Sequence, residues 1–456
     1  MDDRDRRIAE LEAENAELKA ELAELRRRFA QLERELQQIR QRRKRTTQRP
    51  RKAGTSADRR RLPHRKHPGV VREEPPADAP FIEHDIHPEQ CSRCGSRELD
   101  ATGEIRDHVV ADIPEPQLEW HRYRHHVYRC RDCRQRCQGR GALELPGSHI
   151  GPRARLLTCY ARAHLGISLG KTQDLLRDYF GLGVSRAGLL GHLRWGGDLF
   201  SPVVEKLLEL LRQSPVAQAD ETGWRIDGKT AWVWCFRDAR LAIFLIEQRR
   251  NREVIQRVLG DTFQGTLVCD FYAAYHGMDC PKQRCLVHLL RELAKLREEL
   301  PWQSVRAFIQ PLIELFQDAI QLGKNRQRPD FDRAHQDILD RFDDLLLNSR
   351  SRHPHCLRIW KRLYKHCDEL FTFLDNPQVP SDNNGSERDI RGLTAIRNDG
   401  GTHRVGWSAQ AFGHIKTVVA TGMKNGLRFI QYGIAVVRAT LEGQTAPLPL
   451  APANAA

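Results

Sequence analysis

The sequence predicts a multidomain protein: an N-terminal coiled coil, a small cysteine-knuckle module, a helical module and an α/β domain. Three observations carry this prediction. Apolar residues alternate three and four apart through residues 7–40, two Cys-x-x-Cys pairs follow a long basic segment, and from Pro215 helical spacing gives way to short β-branched and aromatic runs. At 456 residues the chain is too long for a single core. No uninterrupted apolar run is long enough to cross a bilayer, and the charged N-terminus has no apolar region of the kind a secretory signal needs. Twelve cysteines without such a signal point to reduced thiols and metal rather than disulfides, and so to a soluble cytoplasmic protein without a membrane partner.

The coiled coil occupies residues 1–40. Ile8, Asn15, Leu22, Phe29 and Leu36 fall at heptad position a, and Leu11, Leu18, Leu25, Leu32 and Ile39 at d. Leucine at d with a single Asn at a favours a parallel, in-register dimer, because two facing Asn15 side chains satisfy each other. The g residues Arg7, Glu14, Glu21, Arg28 and Glu35 each meet an opposite charge at e′, namely Glu12, Lys19, Arg26, Glu33 and Arg40. The expected partner is a second copy of the chain.

Residues 41–80 read as a disordered basic linker. The formal net charge is +14, and the stretch from Arg40 to Arg72 holds fourteen Lys or Arg against one acid, Asp58, so nearly all the excess sits there. Arg42, Arg43, Lys44 and Arg45 are its densest cluster. Such a run binds polyanions through phosphate neutralisation, which is independent of base sequence and sensitive to salt.

Residues 81–145 carry "CSRC" (Cys91, Cys94) and "CRDC" (Cys130, Cys133). Each pair can place two thiolates on one metal, and together they complete a tetrahedral Zn²⁺ site, a zinc ribbon on paired knuckles. Cys137, His121, His125 and His126 are alternative donors. Seven arginines between Arg122 and Arg140 make nucleic acid the expected ligand.

Residues 150–213 have helical apolar spacing punctuated by Gly, Ser and Pro. They read as four helices, with a candidate helix-turn-helix near "DYFGLGVSRAGLLGHL". Then "VAQADETGW", "TAWVWCFRD", "LAIFLIE" and "GTLVCDFYAAY" read as strands, and "NREVIQRVLG" as a crossover helix, giving a mixed sheet. A helical stretch follows from about Leu289 to Phe373, and "SDNNGSERDIRGL" opens another helix on one of Ser381, Asp382, Asn383 or Asn384.

Asp220 ends "VAQAD" and Asp270 ends "TLVCD", where α/β sheets present their ligands. Mg²⁺ prefers carboxylate oxygens, and two such ions can activate an attacking oxygen and stabilise a leaving one. Glu387, inside the first turn of the later helix, is the candidate third acid, although Arg391 at i+4 offers it a surface ion pair. Glu221 is an auxiliary candidate that strand alternation turns away from Asp220.

"ADETGW", "VCDFYAAY", "CLVHLLREL" and "NNGSERDIR" together resemble the motifs of transposases of the insertion sequence 66 (IS 66) family, across nearly all of the chain beyond the linker. The resemblance implies a ribonuclease H-like catalytic domain over 214–400, interrupted by a helical insertion at about 296–378, with 401–456 as a C-terminal helical segment and tail. It assigns Asp220, Asp270 and Glu387 as catalytic ligands of two Mg²⁺ or Mn²⁺ ions, and Arg388 and Arg391 to DNA contact. Cys285 and His288 suit a structural role as well as a catalytic or metal one and are left out of the active site, and Phe271 stands where the family usually has Gly. The implied activity is hydrolysis at element ends followed by strand transfer of the 3′-hydroxyl. The implied partners are terminal inverted repeats, target DNA and accessory transposition proteins, in a bacterial, nucleoid-associated setting. The rival readings are a non-enzymatic DNA-binding or regulatory protein that keeps the fold, which loss of a carboxylate would favour, and a structure-specific nuclease with the same chemistry but no strand transfer.

Overall fold

The computed structural model describes residues 75–451, apart from 77, 301 and 349–352. The coiled coil, the basic cluster Arg42–Arg45 and most of the linker lie outside these residues. The chain divides into two units between His108 and Val109. In the first, the described residues have no helix or strand, and hydrogen-bonded turns form at Pro76–Ala79 and Cys91–Ser96.

The second unit opens with a hairpin of β1 (Val127–Arg129) and β2 (Arg136–Gln138), paired antiparallel with Tyr128 opposite Cys137. Three helices follow: α1 (Pro152–Ala163), α2 (Leu169–Phe180) and α3 (Arg186–Arg212). Ser168 and Ser185 cap α2 and α3 by accepting from the N–H groups of Lys171 and Gly188, and Gly181 ends α2 at φ 68°. Leu176, Val184 and Leu189 form a small core within this helix pair. The break expected at Ser201–Pro202 is absent, and α3 runs through it for 27 residues. Pro202 removes one N–H, but Phe200, Val203, Val204 and Leu207 on either side are buried in one core, which keeps the helix continuous.

The sheet has the order β5-β4-β3-β6-β7. β3 (Val216–Ile226), β4 (Lys229–Arg237) and β5 (Ala242–Glu247) form an antiparallel meander. The crossover helix α4 (Arg252–Leu259) leads to β6 (Thr266–Cys269), parallel to β3, and β7 (Lys282–Arg284) adds a second parallel strand. Two expectations change here. "GTLVCDFYAAY" is a strand only through Cys269, and Ala273–Gly277 is a 3₁₀ turn. β7, a three-residue strand whose Lys282, Gln283 and Arg284 are all buried, has no apolar signature and was not read as a strand.

Among the described residues five α-helices follow β7 before the chain returns to β3 and β4: α5 (Leu286–Glu299), α6 (Gln303–Lys324), α7 (Phe331–Asn348), α8 (Pro354–Lys365) and the short α9 (Thr372–Asp375). This helical segment, Leu286–Asp375, is called the insertion. It has its own core, which includes Leu289, Phe316, Phe342 and Phe371 and reaches the sheet at Val268. The chain then returns as α10 (Asn384–Gly400), α11 (Gly406–Lys424) and α12 (Phe429–Leu441). Helices α1, α3, α4, α10, α11 and α12 share one core with Ala217, Ala219, Leu267 and Cys269 of the sheet. The segments 150–213 and 401–451 thus pack with the α/β domain. No described helix is long and apolar enough to cross a membrane.

β5 is an edge strand, and α11 covers its open side. Phe244 N–H donates to Thr417 Oγ1 (2.9 Å) and Ala242 N–H to Thr421 Oγ1 (3.1 Å), both threonines being fully buried. Gly413, one turn earlier on the same face, lets the helix approach, since a Cβ there would press on Phe244 O. Spacing by four on a helix thus supplies the partners a missing strand would have given. Thr417→Val should leave the Phe244 N–H buried without an acceptor and cost about 1–3 kcal/mol in a denaturant titration, with Thr417→Ser much closer to wild type.

Candidate active site

Strand register brings the two aspartates together. Val216, Ala217 and Gln218 of β3 pair with Thr266, Leu267 and Val268 of β6, a constant offset of fifty. Continued by two residues, that register sets Asp220 level with Asp270. Alternation then fixes the face: Ala217, Ala219, Leu267 and Cys269 point into the main core, while Val216 and Val268 pack against the helical insertion, so both aspartates project on the insertion side. Asp220 does not end its strand as the sequence suggested; β3 runs on to Ile226 against β4 alone. It sits instead where β3 parts from β6, just past the end of the parallel pairing.

The Asp270 loop is held by its own hydrogen bonds. Asp270 Oδ1 accepts from Tyr272 N–H (2.8 Å), and Asp270 O accepts from Arg284 Nη1 (2.7 Å). Arg284 is fully buried and also donates from Nε to Glu369 of the insertion (2.6 Å). Phe271 places its ring beneath the Arg362 guanidinium and edge-on to His366, so the residue that replaces glycine anchors the loop to the insertion.

Glu387 arrives on α10, and backbone contacts aim that helix. Asn383, fully buried at the N-cap, does not cap with its side chain; its Nδ2 donates to Ala219 O (2.7 Å), next to Asp220. Asn383 N–H donates to Cys285 Sγ (3.2 Å), and Leu286 N–H to Ser381 O (3.0 Å), which ties α10 to the start of α5. Gly385 sits so close to β3 and β4 that a Cβ would overlap Gln218 Oε1 and the Arg237 guanidinium. At its far end α10 donates from Arg397 to Gly223 O, and just beyond it Arg162 of α1 donates to Gly401 O (2.8 Å).

Asp220 senses the other two acids through charge. The Asp220 carboxyl is pushed up to about 7, first by burial, then by Glu221, with Asp270 and Glu387 adding to the rise. Glu221 itself lies on the other face. Its side chain is 2% exposed and accepts from Arg250 (2.9 and 2.6 Å to Oε1) and from Tyr275 Oη (2.5 Å to Oε2). Arg250 is clamped between Trp232 and Tyr272.

Glu387 pairs with α5 side chains rather than with Arg391: His288 Nε2 is 3.6 Å away and Arg291 Nη2 3.2 Å. Sequence reasoning left His288 out, and only the fold brings α5 against α10. Cys285, His288 and Glu387 offer ligand atoms within 4.8 Å of one another. The Cys285 sulfur is already engaged, however, accepting the backbone N–H groups of His288, Asn383 and Val287 while burial raises its pKa. It acts as a cap joining two helix starts. Arg388 and Arg391 are exposed on α10.

The two cysteine pairs form the same turn. In each, the first Cys N–H donates to the carbonyl five residues on (Ser96, Gln135), and the N–H four residues on (Gly95, Arg134) donates back to the first Cys carbonyl. The residue after the second cysteine is left-handed in both, Gly95 at φ 72° and Arg134 at φ 62°. Inward backbone N–H groups lower the thiols of Cys91 (from Arg93, then Cys94) and Cys130 (from Cys133, then Asp132). These turns are built to hold thiolates. His125 is spoken for, contacting Gly139 O and Glu144.

Gly385→Ala should push α10 off β3 and lower any activity that needs all three acids by more than tenfold, with little loss of helix content. Asn383→Ala should act in the same direction, and Asn383→Asp, which lacks the amide donor to Ala219 O, should not restore it; activity assays beside circular dichroism check both.

Among curated proteins none matches the chain. Residues 148–411, more than half of the chain, match the family described as Transposase IS66 family. Residues 88–134, which contain both cysteine pairs, match the zinc-finger binding domain of transposase IS66. The chain belongs to the IS66 family of transposases.

Proposed function

We propose that the chain is a DNA transposase that hydrolyses phosphodiester bonds at the ends of an insertion sequence and transfers the 3′-hydroxyl so exposed into target DNA. The observation that carries this reading is geometric: the register of β3 and β6 sets Asp220 level with Asp270, and Asn383, in the turn that carries Glu387, is bonded to Ala219 O beside Asp220. Three acids from two strands and a returning helix form a hard-oxygen donor set suited to Mg²⁺ or Mn²⁺. The strand order, an antiparallel meander followed by two parallel strands, supports a ribonuclease H-like domain.

In this reading Asp220, Asp270 and Glu387 hold two divalent ions, which when bound supply an activated attacking oxygen and stabilise the leaving oxygen. Asp220 gives up its proton for this role. Arg284 and Tyr272 hold the Asp270 loop, and Asn383 and Gly385 set α10. Arg388 and Arg391 face solvent where a DNA backbone can reach them. Cys91, Cys94, Cys130 and Cys133 ligate one structural Zn²⁺, supported by the matching turn geometry of each pair. The ribbon, the α2–α3 pair and Arg42, Arg43, Lys44 and Arg45 bind DNA, and the coiled coil over 1–40 pairs two protomers so that two element ends can be joined. The protein acts in the bacterial cytoplasm, on the nucleoid, with accessory transposition proteins as further partners.

Two experiments separate this from its rivals. Asp270→Asn and Glu387→Gln should each reduce metal-dependent cleavage of an element end by at least a hundredfold while DNA retention is kept; wild-type cleavage would remove that residue from the mechanism, and cleavage without joined products would favour a nuclease. Chelation should release one Zn²⁺ per chain, and Cys94→Ser should lower zinc content in metal analysis.

The raised Asp220 carboxyl sets a pH dependence. Its folded value near 7 lies above the unfolded value near 4. The folded protein therefore holds a proton that the unfolded chain has released, and stability falls as pH rises from about 4 to about 7. Asp220→Asn should raise the unfolding midpoint of the metal-free protein at pH 8 by a few degrees while abolishing cleavage. Apparent Mn²⁺ affinity should climb as pH rises to about 7 and level off above it, since the ion competes with that proton.

A further inference from the structure

Glu387 alone among the three acids has an ion pair in the described residues. Asp220 Oδ1 accepts from Glu221 N–H and Asp270 Oδ1 from Tyr272 N–H, both uncharged donors. Glu387, by contrast, meets Arg291 Nη2 with both oxygens (3.2 and 3.5 Å) and has His288 Nε2 at 3.6 Å. The carboxylate is 18% exposed while the Arg291 side chain is 55% exposed. The acid is the more enclosed of the two and the guanidinium the more open to solvent.

A guanidinium nitrogen resting against both Glu387 oxygens competes with a divalent ion for them. The backbone here does not move to resolve the conflict, because the Cys285 Sγ contact and the Leu286–Ser381 bond pin α5 to α10. Only the arginine side chain can leave. Once displaced, it stays tethered three residues past His288 on the same helix face, at the rim of the acid cluster. The cluster has then gained positive charge, and the freed guanidinium seeks a new anion. A phosphodiester oxygen of the strand being cut is an anion of suitable charge and geometry, since Arg recognises phosphate in a bidentate manner.

We propose that Arg291 is an exchangeable counter-cation: it occupies Glu387 until a divalent ion takes the carboxylate, and it then moves to a backbone phosphate of the bound DNA strand. This inference rests on the three-acid reading above and adds a coupling to it. Metal binding displaces the ion pair, and DNA recovers the lost interaction, so each ligand strengthens the other by the same factor. Arg291 is on this account a positioning residue for metal and DNA together.

The test uses the full-length zinc-loaded protein and the variants Arg291→Gln, Arg291→Lys and Glu387→Gln. Mn²⁺ binding is measured by calorimetry without DNA. Retention of a fluorescein-labelled duplex of mixed sequence is then measured in Ca²⁺ over a range of salt. Arg291→Gln should bind Mn²⁺ about two- to fivefold more tightly, the size set by a partly exposed ion pair. It should also bind the duplex more weakly, with a salt slope shallower by about 1, and Arg291→Lys should fall between. An unchanged or weakened Mn²⁺ affinity in Arg291→Gln, or an unchanged salt slope, overturns the exchange. Glu387→Gln separates the two levels of the account. If it binds Mn²⁺ as wild type does, the three-acid site itself is wrong; if it loses Mn²⁺ while Arg291→Gln behaves as wild type, only the exchange is wrong.

Discussion

The proposed site brings three carboxyl groups toward one another, and since these repel, something other than the acids must hold them there. For Glu387 that constraint is the hydrogen bond from Asn383 Nδ2 to Ala219 O, made at the start of α10 one residue from Asp220. More than a hundred residues of chain separate Asp270 from Glu387, and no local preference brings the acid back. A buried amide on a strand carbonyl does so in one geometry, because the alternative is an unsatisfied backbone group in the core. Gly385 permits the approach and Cys285 binds the same turn from the α5 side. Burial and then Glu221 raise the Asp220 carboxyl, with Asp270 and Glu387 adding to the rise, a strain of the kind a cation relieves.

The helical insertion is coupled to the same centre. Glu369 holds the buried Arg284, whose other arm holds the Asp270 carbonyl, and Phe271 reaches into the insertion beneath Arg362. The insertion therefore braces the second acid while α10 delivers the third. On the far face, Glu221 is locked by Arg250 and Tyr275 and supports the strand without competing for the site.

Much of this was legible in the sequence. Asp220 and Asp270 stood out as acids on apolar strands, and alternation separated Glu221 from them. The two Cys-x-x-Cys pairs announced turns whose hydrogen bonds then proved equivalent. What escaped was long-range or disguised. β7 is three polar residues, buried only because Gln283 and Arg284 find partners in the insertion. Asn383 reads as a helix cap, yet its amide serves a strand. Pro202 reads as a break, yet one core spans both sides. His288 and Arg291 meet Glu387 only because α5 and α10 pack together, and nothing near any of the three announces it.

The most direct test of the account is a crystal structure of the protein with Mn²⁺, with the ions located by anomalous scattering at the manganese edge. The account predicts manganese bound by the Asp220 and Asp270 carboxylates, with Glu387 turned from Arg291 to join them. Manganese held by Cys285 and His288 instead, or by the two aspartates with Glu387 still on Arg291 and out of reach, would contradict it.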